Sequence, residues 1–404
     1  MKYVIIQGDG MADRRGDAPG DTTPLEAART PHFDRLAGAG RFGLIHTIPE
    51  GFPPGSDVGN LSLFGYDPAL YYTGRSPLEA AAMGVRLGAE DVAFRMNLVT
   101  LENHAAGAAG AEMADYSAGH IANDPAARIV SDLNAALADE SFQFYPGVSY
   151  RHLLVWRKGL DTMTTTPPHD ILGQTASHHL PRGDGAGPLL RIMDASREML
   201  AGHPVNEELR AAGAAQVTQV WLWGQGRVPS MPPFQQMHGL RGACISAVDL
   251  VRGVAVCAGF SIIKVPGATG YIDTDYTAKG RYALKALKHH DLVFVHIEAP
   301  DESGHMGNRG EKIKAIEAID GEIVCPLLEN LPSLGDFTFV IVSDHATPVS
   351  LRTHTPDPVP FTVTTAKELE RASSPVKYGE REAAASGLVI RDGHTLMKTL
   401  LEQG

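Results

Sequence analysis

The chain has 404 residues, of which 43% are hydrophobic and 20% charged, and its 35 basic and 47 acidic side chains give a net charge of −12. This length favours two domains, while the lack of a basic run disfavours nucleic-acid binding, which needs a positive stripe. Its three scattered cysteines exclude a disulfide framework, and no stretch approaches the ~20 apolar residues of a membrane span, so we expect a soluble cytoplasmic protein.

The first predicted strand is the apolar run Tyr3–Ile6, which stops at a Gly-Asp-Gly turn containing Asp9. Thr30-Pro31 predicts the start of a helix, because threonine caps helices and proline fits the first turn. Phe42–Ile48 is predicted as a second strand. The segment Pro49–Asn60 follows it, rich in proline and glycine and without periodicity, and is predicted as a loop.

The middle of the chain has a different character, with longer loops between its predicted elements. Val92–Leu101 and Tyr150–Trp156 have the pattern of strands, and Pro125–Asp139 has the pattern of an amphipathic helix. We predict a smaller α+β domain inserted between two halves of the first domain. The predicted ranges are 1–88 for the first half of the core domain, 89–216 for the insert and 217–404 for the second half.

Two further apolar runs resemble the first strand, at 291–297 and 337–343, and helical patterns cover 276–288 and 311–330. Near-continuous apolar strands that alternate with amphipathic helices are typical of a parallel sheet covered on both faces. The predicted fold class is therefore α/β, with a mostly parallel sheet.

Three aspartates follow predicted strands of this sheet at or just beyond their carboxyl ends, namely Asp9, Asp301 and Asp344. Ligands of parallel α/β sheets bind at that edge, so we expect the three carboxylates to lie together. Like charges in one site need compensation, and metal cations are the usual source of it.

Three histidines accompany these aspartates. His305 lies four residues after Asp301, His345 directly follows Asp344, and His354 lies in a proline-stiffened loop. A mixed set of oxygen and nitrogen donors suits Mn²⁺ or Zn²⁺. A strand-end turn or a solvated Asp-His pair is common on its own, and the prediction depends on all of these residues falling at one sheet edge.

Ser56 is the candidate nucleophile. It lies in Pro53-Pro54-Gly55-Ser56-Asp57, where glycine and proline favour a tight exposed turn that leaves the hydroxyl free. Metal coordination lowers the pKa of a serine hydroxyl and so activates it. The sequence therefore predicts a metal-activated serine nucleophile, beside which a second metal could polarise a phosphoryl oxygen during its transfer.

These residues belong to motifs that resemble the archaeal-type cofactor-independent phosphoglycerate mutases of the alkaline phosphatase superfamily. The resemblance runs essentially end to end, and its motifs follow one another in the family's order. The motifs are Gly8-Asp9-Gly10-Met11, Pro54-Gly55-Ser56-Asp57, Tyr71-Tyr72-Thr73-Gly74-Arg75, His203-Pro204-Val205-Asn206, Gly267-Ala268-Thr269-Gly270, Asp301-Glu302-Ser303-Gly304-His305, Asp344-His345 and Asp357-Pro358-Val359-Pro360.

The resemblance implies two divalent metal ions, with manganese favoured and zinc, cobalt or magnesium as alternatives. It also implies that 3-phosphoglycerate and 2-phosphoglycerate interconvert through a phosphoserine at Ser56 without 2,3-bisphosphoglycerate, while the insert closes over the substrate. The implied ligands are Asp301, His305 and His354 for one ion, and Asp9, Ser56, Asp344 and His345 for the other.

Substrate contacts follow from the anionic groups of the phosphoglycerate, which need cationic partners. The cationic candidates, all in segments that resemble family blocks, are Arg75, Arg151, Arg252 and Lys279. His169 and Asp170, in a segment of the insert that also resembles a family block, are further candidate substrate contacts. The pattern does not distinguish a monomer from a homo-oligomer.

The same candidate site is compatible with other functions. Trp221–Gly226 and His120 resemble a bacterial branch sometimes proposed as homoserine kinases, although the chain has no P-loop motif for ATP. A metal-dependent phosphatase would release phosphate instead of returning it to glycerate. A non-enzymatic relative would be expected to lack the nucleophile or a ligand, and here Ser56 and all six Asp and His positions are present.

Overall fold

The computed structural model describes residues 1–16, 21–103, 110–371 and 374–402. Its strands, numbered in chain order, are β1 (Lys2–Gly8), β2 (Arg41–Ile45), β3 (Val92–Asn103), β4 (Ala111–Asp115), β5 (Phe142–Val148), β6 (Arg151–Trp156), β7 (Gln219–Gly226), β8 (Gly242–Ile245), β9 (Ser261–Ile262), β10 (Leu292–Ile297), β11 (Phe337–Val342), β12 (Val359–Thr365) and β13 (Val389–Ile390).

The α-helices of the described residues are α1 (Pro24–Ala27), α2 (Pro31–Ala39), α3 (Ser56–Leu63), α4 (Pro68–Tyr71), α5 (Arg75–Ala82), α6 (Asn123–Leu137), α7 (Ala186–Leu200), α8 (Pro204–Ala211), α9 (Phe234–His238), α10 (Asp249–Cys257), α11 (Tyr276–Leu287), α12 (Ala299–His305), α13 (Arg309–Ala318), α14 (Cys325–Asn330), α15 (Ala366–Arg371), α16 (Glu380–Ala385) and α17 (Leu396–Glu402). Short 3₁₀ turns add Pro168–Ile171, Ala176–His179, Leu331–Leu334 and Gly393–Thr395. Within the described ranges, no helix combines the length and apolar character that crossing a membrane requires.

The chain folds into two compact units. Unit 1 contains Met1–Tyr72 and Ser230–Gly404, and unit 2 contains Thr73–Pro229. Unit 2 includes the whole of the predicted insert, 89–216, and extends beyond it at both ends. The extension has a physical reason, since α5 packs on β3 and β7 pairs with β3, so both elements belong to the sheet of unit 2.

Unit 1 is built on an eight-stranded sheet in the order β13-β2-β12-β11-β1-β10-β8-β9. The strands from β11 through β1, β10 and β8 to β9 are parallel, and every residue of β10 and β11 is buried. Because successive side chains point to opposite faces, this burial requires cover on both faces, as predicted.

One region of the sheet departs from the parallel prediction. Strand β12 runs antiparallel to both β11 and β2. The chain passes from β11 to β12 through segment 343–358, which forms turns and contains no crossover helix. Without a crossover the chain enters the next strand in the opposite direction, so the sheet is mixed and mostly parallel.

The predicted helix 311–330 is present but is not one regular helix. It begins earlier, as α13, and continues into α14 through a π-helical turn at Ile319–Val324. Within that turn, the buried Asp320 accepts hydrogen bonds from the backbone N–H groups of His32 and Phe33, at 3.0 and 2.8 Å. The carboxylate thus satisfies donors at the start of α2 that the helix itself leaves unpaired.

Unit 2 is an antiparallel sheet with helices. Strand β3 lies between β6 and β7 and also pairs with β4, while β5 pairs with β6. The helix predicted at 125–139 is α6, which buries Ile129 and Leu133 on one side. The core of this unit includes the fully buried Trp221 of β7.

Candidate functional site

The candidate site of unit 1 lies at the carboxyl end of its parallel strands. Asp9 directly follows β1, Asp344 lies two residues after β11, and Asp301 is in α12, which begins two residues after β10. Strand β1 pairs with both β10 and β11, so the three strands deliver their end residues to one edge. All three aspartates are buried.

One cluster contains Asp301, His305 and His354. The spacing of four residues places Asp301 and His305 on one face of α12, with Oδ2 and Nε2 3.2 Å apart. The Nε2 atom of His354 lies 3.5 Å from Asp301 Oδ1 and 2.9 Å from His305 Nε2. Three donor atoms therefore converge on a small volume, which we call cluster A.

The charge of Asp301 dominates the titration of cluster A. Burial lowers the pKa of His305, but the hydrogen bond and the charge of Asp301 outweigh this effect and raise that pKa to about 9. Burial raises the pKa of Asp301, and the hydrogen bonds from His305 and His354 overcome it and hold that pKa well below its ordinary value. The carboxylate is thus ionised and stabilised by positive charge.

A second cluster, cluster B, contains Asp9, Ser56, Asp344 and His345. The Nε2 atom of His345 lies 3.5 Å from Asp9 Oδ1, 3.3 Å from Asp344 Oδ2 and 3.2 Å from Ser56 Oγ. Asp344 Oδ1 accepts a 3.2 Å hydrogen bond from the N–H of Gly10. Gly10 has a φ of 54°, and a Cβ there would collide with the Asp301 carboxylate, so the turn requires glycine.

Ser56 does not lie on an exposed turn, as its sequence context had suggested. It is the first residue of α3, directly after Gly55, and it is half-buried. The segment predicted as a loop, Pro49–Asn60, therefore ends in a helix. Buried side chains along α3 explain the difference, because tertiary packing outweighs the weak local signal of Gly55 and Pro54.

The two clusters have the chemistry of cation sites. Burial raises the pKa of Asp9 well above its ordinary value, and the nearby charges of Asp344 and Glu298 raise it further. Its buried Oδ1 atom has no hydrogen-bond partner among the residues that the structure describes. Two imidazole nitrogens 2.9 Å apart in cluster A likewise need a cation or a proton between them. Carboxylate, imidazole and hydroxyl donors in this arrangement fit divalent metal ions.

Three residues that support these clusters were not identified from the sequence. Asn60 donates through Nδ2 to the carbonyl of Ser56 at 2.9 Å and to Asp344 Oδ2 at 3.3 Å. Thr347 donates through its hydroxyl to Asp301. His296 lies within 2.7 Å of Asp9. Only His296 had a usable sequence signal, because it precedes the carboxyl end of β10 by one residue.

Unit 2 contains a separate cluster of cations that includes two predicted substrate residues. Arg75 Nε lies 2.9 Å from Glu79 Oε1, and the buried Arg95 also pairs with Glu79. Burial raises the pKa of Glu79, but the charges of Arg95, Arg75 and Arg151 overcome this and lower it. One carboxylate thus faces three guanidinium groups, and the cluster keeps an excess of positive charge. Arg95 was missed in the sequence because it lies inside a strand.

His169 and Asp170 belong to the same unit. The ring of His169 lies 5.3 Å from the ring of Trp223, and Arg95 lies 5.2 Å from the centre of that same ring. His169 Nε2 is 3.7 Å from Asp170 Oδ1, and both side chains are exposed. The structure therefore places His169 beside the arginine cluster.

Arg252 and Lys279, the remaining predicted substrate residues, are in unit 1. Arg252 donates to the carbonyl of Ala247 at 2.6 Å. Lys279 is fully buried and donates to the carbonyl of His296 at 3.2 Å. Burial lowers the pKa of Lys279 to about 8. Both cations have backbone partners in this conformation.

Known proteins are similar in sequence to this chain over most of its length. A family model described as 2,3-bisphosphoglycerate-independent phosphoglycerate mutase matches residues 37–206. Relatives with that name include one from Methanosarcina acetivorans, 50% identical over 90% of both chains. Another, from Methanothrix thermoacetophila, is 48% identical over 99% of this chain and 100% of its own.

Solved structures agree in fold. The structure of the PH0037 protein from Pyrococcus horikoshii has a TM-score of 0.80 at 29% identity and covers 100% of this chain and 98% of its own. The cofactor-independent phosphoglycerate mutase from Thermoplasma acidophilum has a TM-score of 0.65 at 26% identity, over 100% and 99% of the two chains. The chain belongs to the family of 2,3-bisphosphoglycerate-independent phosphoglycerate mutases.

Proposed function

We propose that this protein interconverts 3-phosphoglycerate and 2-phosphoglycerate through a phosphoserine at Ser56, without 2,3-bisphosphoglycerate. The observation that carries the proposal is the position of the Ser56 hydroxyl, 3.2 Å from His345 Nε2 and within a group of buried carboxylates. Family membership supports the substrate, because the similar proteins are named for this reaction.

Two divalent cations would be held by the two clusters, whose mixed oxygen and nitrogen donors suit Mn²⁺ or Zn²⁺, and we propose manganese. Cluster A offers Asp301, His305 and His354, and cluster B offers Asp9, Ser56, Asp344 and His345. Bound there, such ions would lower the pKa of the serine hydroxyl and offset the negative charge of the phosphoryl group.

The reaction then needs two transfers at one serine. In the first, Ser56 Oγ attacks the phosphorus, the bond from phosphorus to the glycerate oxygen breaks, and the serine proton ends on that oxygen. Glycerate turns within the site. In the second transfer its other hydroxyl attacks the phosphoserine, the bond to Oγ breaks, and the proton returns to Ser56.

The arginine cluster of unit 2 is proposed to bind the anionic groups of the substrate. The cluster has three positive charges, on Arg75, Arg95 and Arg151, against one negative charge on Glu79. Guanidinium groups pair well with phosphate and carboxylate oxygens. We propose His169 and Asp170, beside this cluster, as further substrate contacts. Arg252 and Lys279 would bind substrate only after leaving their present carbonyl partners.

We also infer a reducing, cytoplasmic setting, which the cysteines support. Cys244, Cys257 and Cys325 are all free thiols. Burial raises the pKa of Cys244 to about 12 and that of Cys257 to about 11, so neither forms a thiolate readily.

The test is a ³¹P NMR assay of purified protein with Mn²⁺ and 3-phosphoglycerate, in samples quenched with a chelator before each spectrum. We expect a growing 2-phosphoglycerate signal that Ser56→Ala abolishes. The exposed Ser333 provides a matched control, and Ser333→Ala should leave the rate unchanged. Release of free phosphate in place of 2-phosphoglycerate would make the protein a phosphatase, and unaltered substrate would overturn the proposal.

A further inference from the structure

A buried histidine adjoins cluster B without being one of its proposed cation ligands. His296 is fully buried in β10, and its Nε2 lies 2.7 Å from Asp9 Oδ2. Its Nδ1 lies 3.0 Å from the hydroxyl of Ser246, which directly follows β8. Ser246, His296 and Asp9 therefore form a chain of contacts across three neighbouring strands, β8, β10 and β1.

The partners of the ring determine its tautomer. Its Nε2 faces two carboxylates, with Glu298 Oε2 3.2 Å away in addition to Asp9. A lone pair there would be repelled by both, so this nitrogen carries the proton and donates. The ring's Nδ1 lies 3.0 Å from the hydroxyl of Ser246, which also lies 3.3 Å from the carbonyl oxygen of Val248, so Ser246 contacts the ring on the side opposite the carboxylates.

The two oxygens of Asp9 thus have different surroundings. Oδ2 accepts from His296, whereas Oδ1, which lies 3.5 Å from His345 Nε2, has no hydrogen-bond partner in the described part of the chain. We propose that His296 is a positioning residue, which fixes the Asp9 carboxylate so that Oδ1 is presented to the cation of cluster B. This inference rests on the proposed metal-dependent function and adds a residue to it.

A different role for His296 would be as a ligand of a third cation, together with Asp9 and Glu298, whose donor atoms also lie near one another. The contact length favours the hydrogen bond. Ligand atoms that are each about 2.1 Å from a shared ion usually lie about 3 Å or more apart. The His296–Asp9 contact of 2.7 Å is shorter and has the length of a charge-assisted hydrogen bond.

The test measures metal affinity directly, by titration against a chromophoric chelator, with Mn²⁺ as the probe. His296→Leu removes the donor, and His296→Gln replaces it with an amide N–H at a similar reach. The control is His203→Leu, because His203 is also a buried histidine whose Nε2 contacts an aspartate, Asp132, at 3.1 Å in unit 2. Asp9→Asn serves as the reference for loss of cluster B.

We expect His296→Leu to weaken one of the two Mn²⁺ sites by about 10- to 100-fold, the usual effect of losing a residue that orients a ligand. The other site should be unchanged, His296→Gln should recover most of the affinity, and His203→Leu should bind like wild type. Excess Mn²⁺ should restore kcat in His296→Leu with little change in KM. Wild-type affinity in His296→Leu, or no recovery in His296→Gln, would overturn the proposal.

The stoichiometry separates the remaining outcomes. Three Mn²⁺ per wild-type chain, falling to two in His296→Leu, would make His296 a metal ligand and refute the positioning role. If Asp9→Asn binds Mn²⁺ as wild type does, the proposed metal site itself fails. If His296→Leu does not fold, Ser246→Ala tests the same chain of contacts. That variant should weaken one site several-fold, and unchanged affinity would contradict the proposal.

Discussion

Asn60 connects Ser56, the proposed nucleophile, to a proposed metal ligand through one amide group. Its Nδ2 donates to the carbonyl of Ser56 and to Asp344 Oδ2, and the side chain is fully buried. We expect Asn60→Ala to lower kcat at least tenfold, because the serine and the carboxylate lose their common donor. We also expect a loss of about 1–3 kcal/mol in the free energy of unfolding.

Steady-state kinetics and urea unfolding measure both effects. The matched control is Asn330→Ala, since the exposed Asn330 also donates through Nδ2 to the carbonyl four residues earlier, that of Pro326. This control should retain full activity. Equal kcat values in the two variants would show that the amide of Asn60 does not position Ser56.

Glu380 gives unit 1 a pH-dependent stability. It accepts from the N–H of Asp13 at 2.9 Å and the hydroxyl of Thr23 at 2.6 Å, yet burial raises its pKa from 4.5 to about 7. The folded state therefore holds this proton more tightly than the unfolded chain does. The contribution to stability is full below pH 4.5 and is lost as the pH rises through 7.

We expect Glu380→Gln, which mimics the protonated side chain, to remove this dependence. Between pH 5 and 7, the unfolding free energy of wild type should fall relative to the variant by up to about 1.4 kcal/mol per pH unit. Urea unfolding at pH 5, 6 and 7 measures the slope. The exposed Glu50 supplies the control Glu50→Gln, which should follow wild type. Parallel profiles for Glu380→Gln and wild type would contradict the assignment.

At the scale of elements, helix α3 carries Ser56 and must approach the end of β11 closely. A Cβ at Gly59 would lie 2.6 Å from the carbonyl oxygen of Asp344. We expect Gly59→Ala to push α3 away, lower kcat by more than tenfold and cost about 1–3 kcal/mol of stability. Kinetics and thermal unfolding of the purified variant provide the measurement.

Gly310 is the matched control for that substitution. It lies in the first turn of α13, where an added Cβ would have Asn308 Oδ1 as its nearest neighbour, 3.7 Å away. Gly310→Ala should stabilise the protein by about 0.5–1 kcal/mol, because alanine favours the helix more than glycine does. If Gly59→Ala behaved in the same way, the close approach of α3 would not matter for catalysis.

At the scale of the whole molecule, metal binding is expected to stabilise unit 1. A ligand that binds only the folded state at 100 times its Kd adds about 2.7 kcal/mol. Removing metal with a chelator should therefore lower the midpoint of thermal unfolding, and Mn²⁺ should restore it. Asp301→Asn, which disables cluster A, should reduce this response, and an unaltered response would count against that ligand.

Hydrogen exchange shows which parts of the chain are stabilised by metal binding. Chelation should speed exchange at the carboxyl ends of β1, β10 and β11, where the proposed ligands lie, and leave the β3–β6–β7 sheet of unit 2 unaffected. Uniform changes across both sheets would indicate a global effect of the chelator on stability. Faster exchange confined to unit 2 would exclude the proposed metal positions.

Local sequence patterns predicted the elements that depend on continuous burial. Sequence patterns identified the strands β1, β10 and β11 and the threonine–proline start of α2. Each of these patterns lies within a few residues, and it indicates the burial or the backbone conformation of those same residues. The antiparallel β12 and the π-helical turn at Ile319–Val324 were not predicted. Both depend on how distant segments pack, and no short window of sequence contains that information.

The sequence by itself predicted which residue types form the candidate site and in what order they occur. Apolar runs mark the strands, and the aspartates and most of the histidines come at or shortly after the ends of those runs. Only the tertiary structure showed that Ser56 begins a helix, that Asn60 contacts Asp344 and His296 contacts Asp9, and that Arg95 joins the cations of unit 2. These contacts could not be predicted because the residues that make them are far apart along the chain. His296 and Asp9 are 287 residues apart and meet only because β10 pairs with β1.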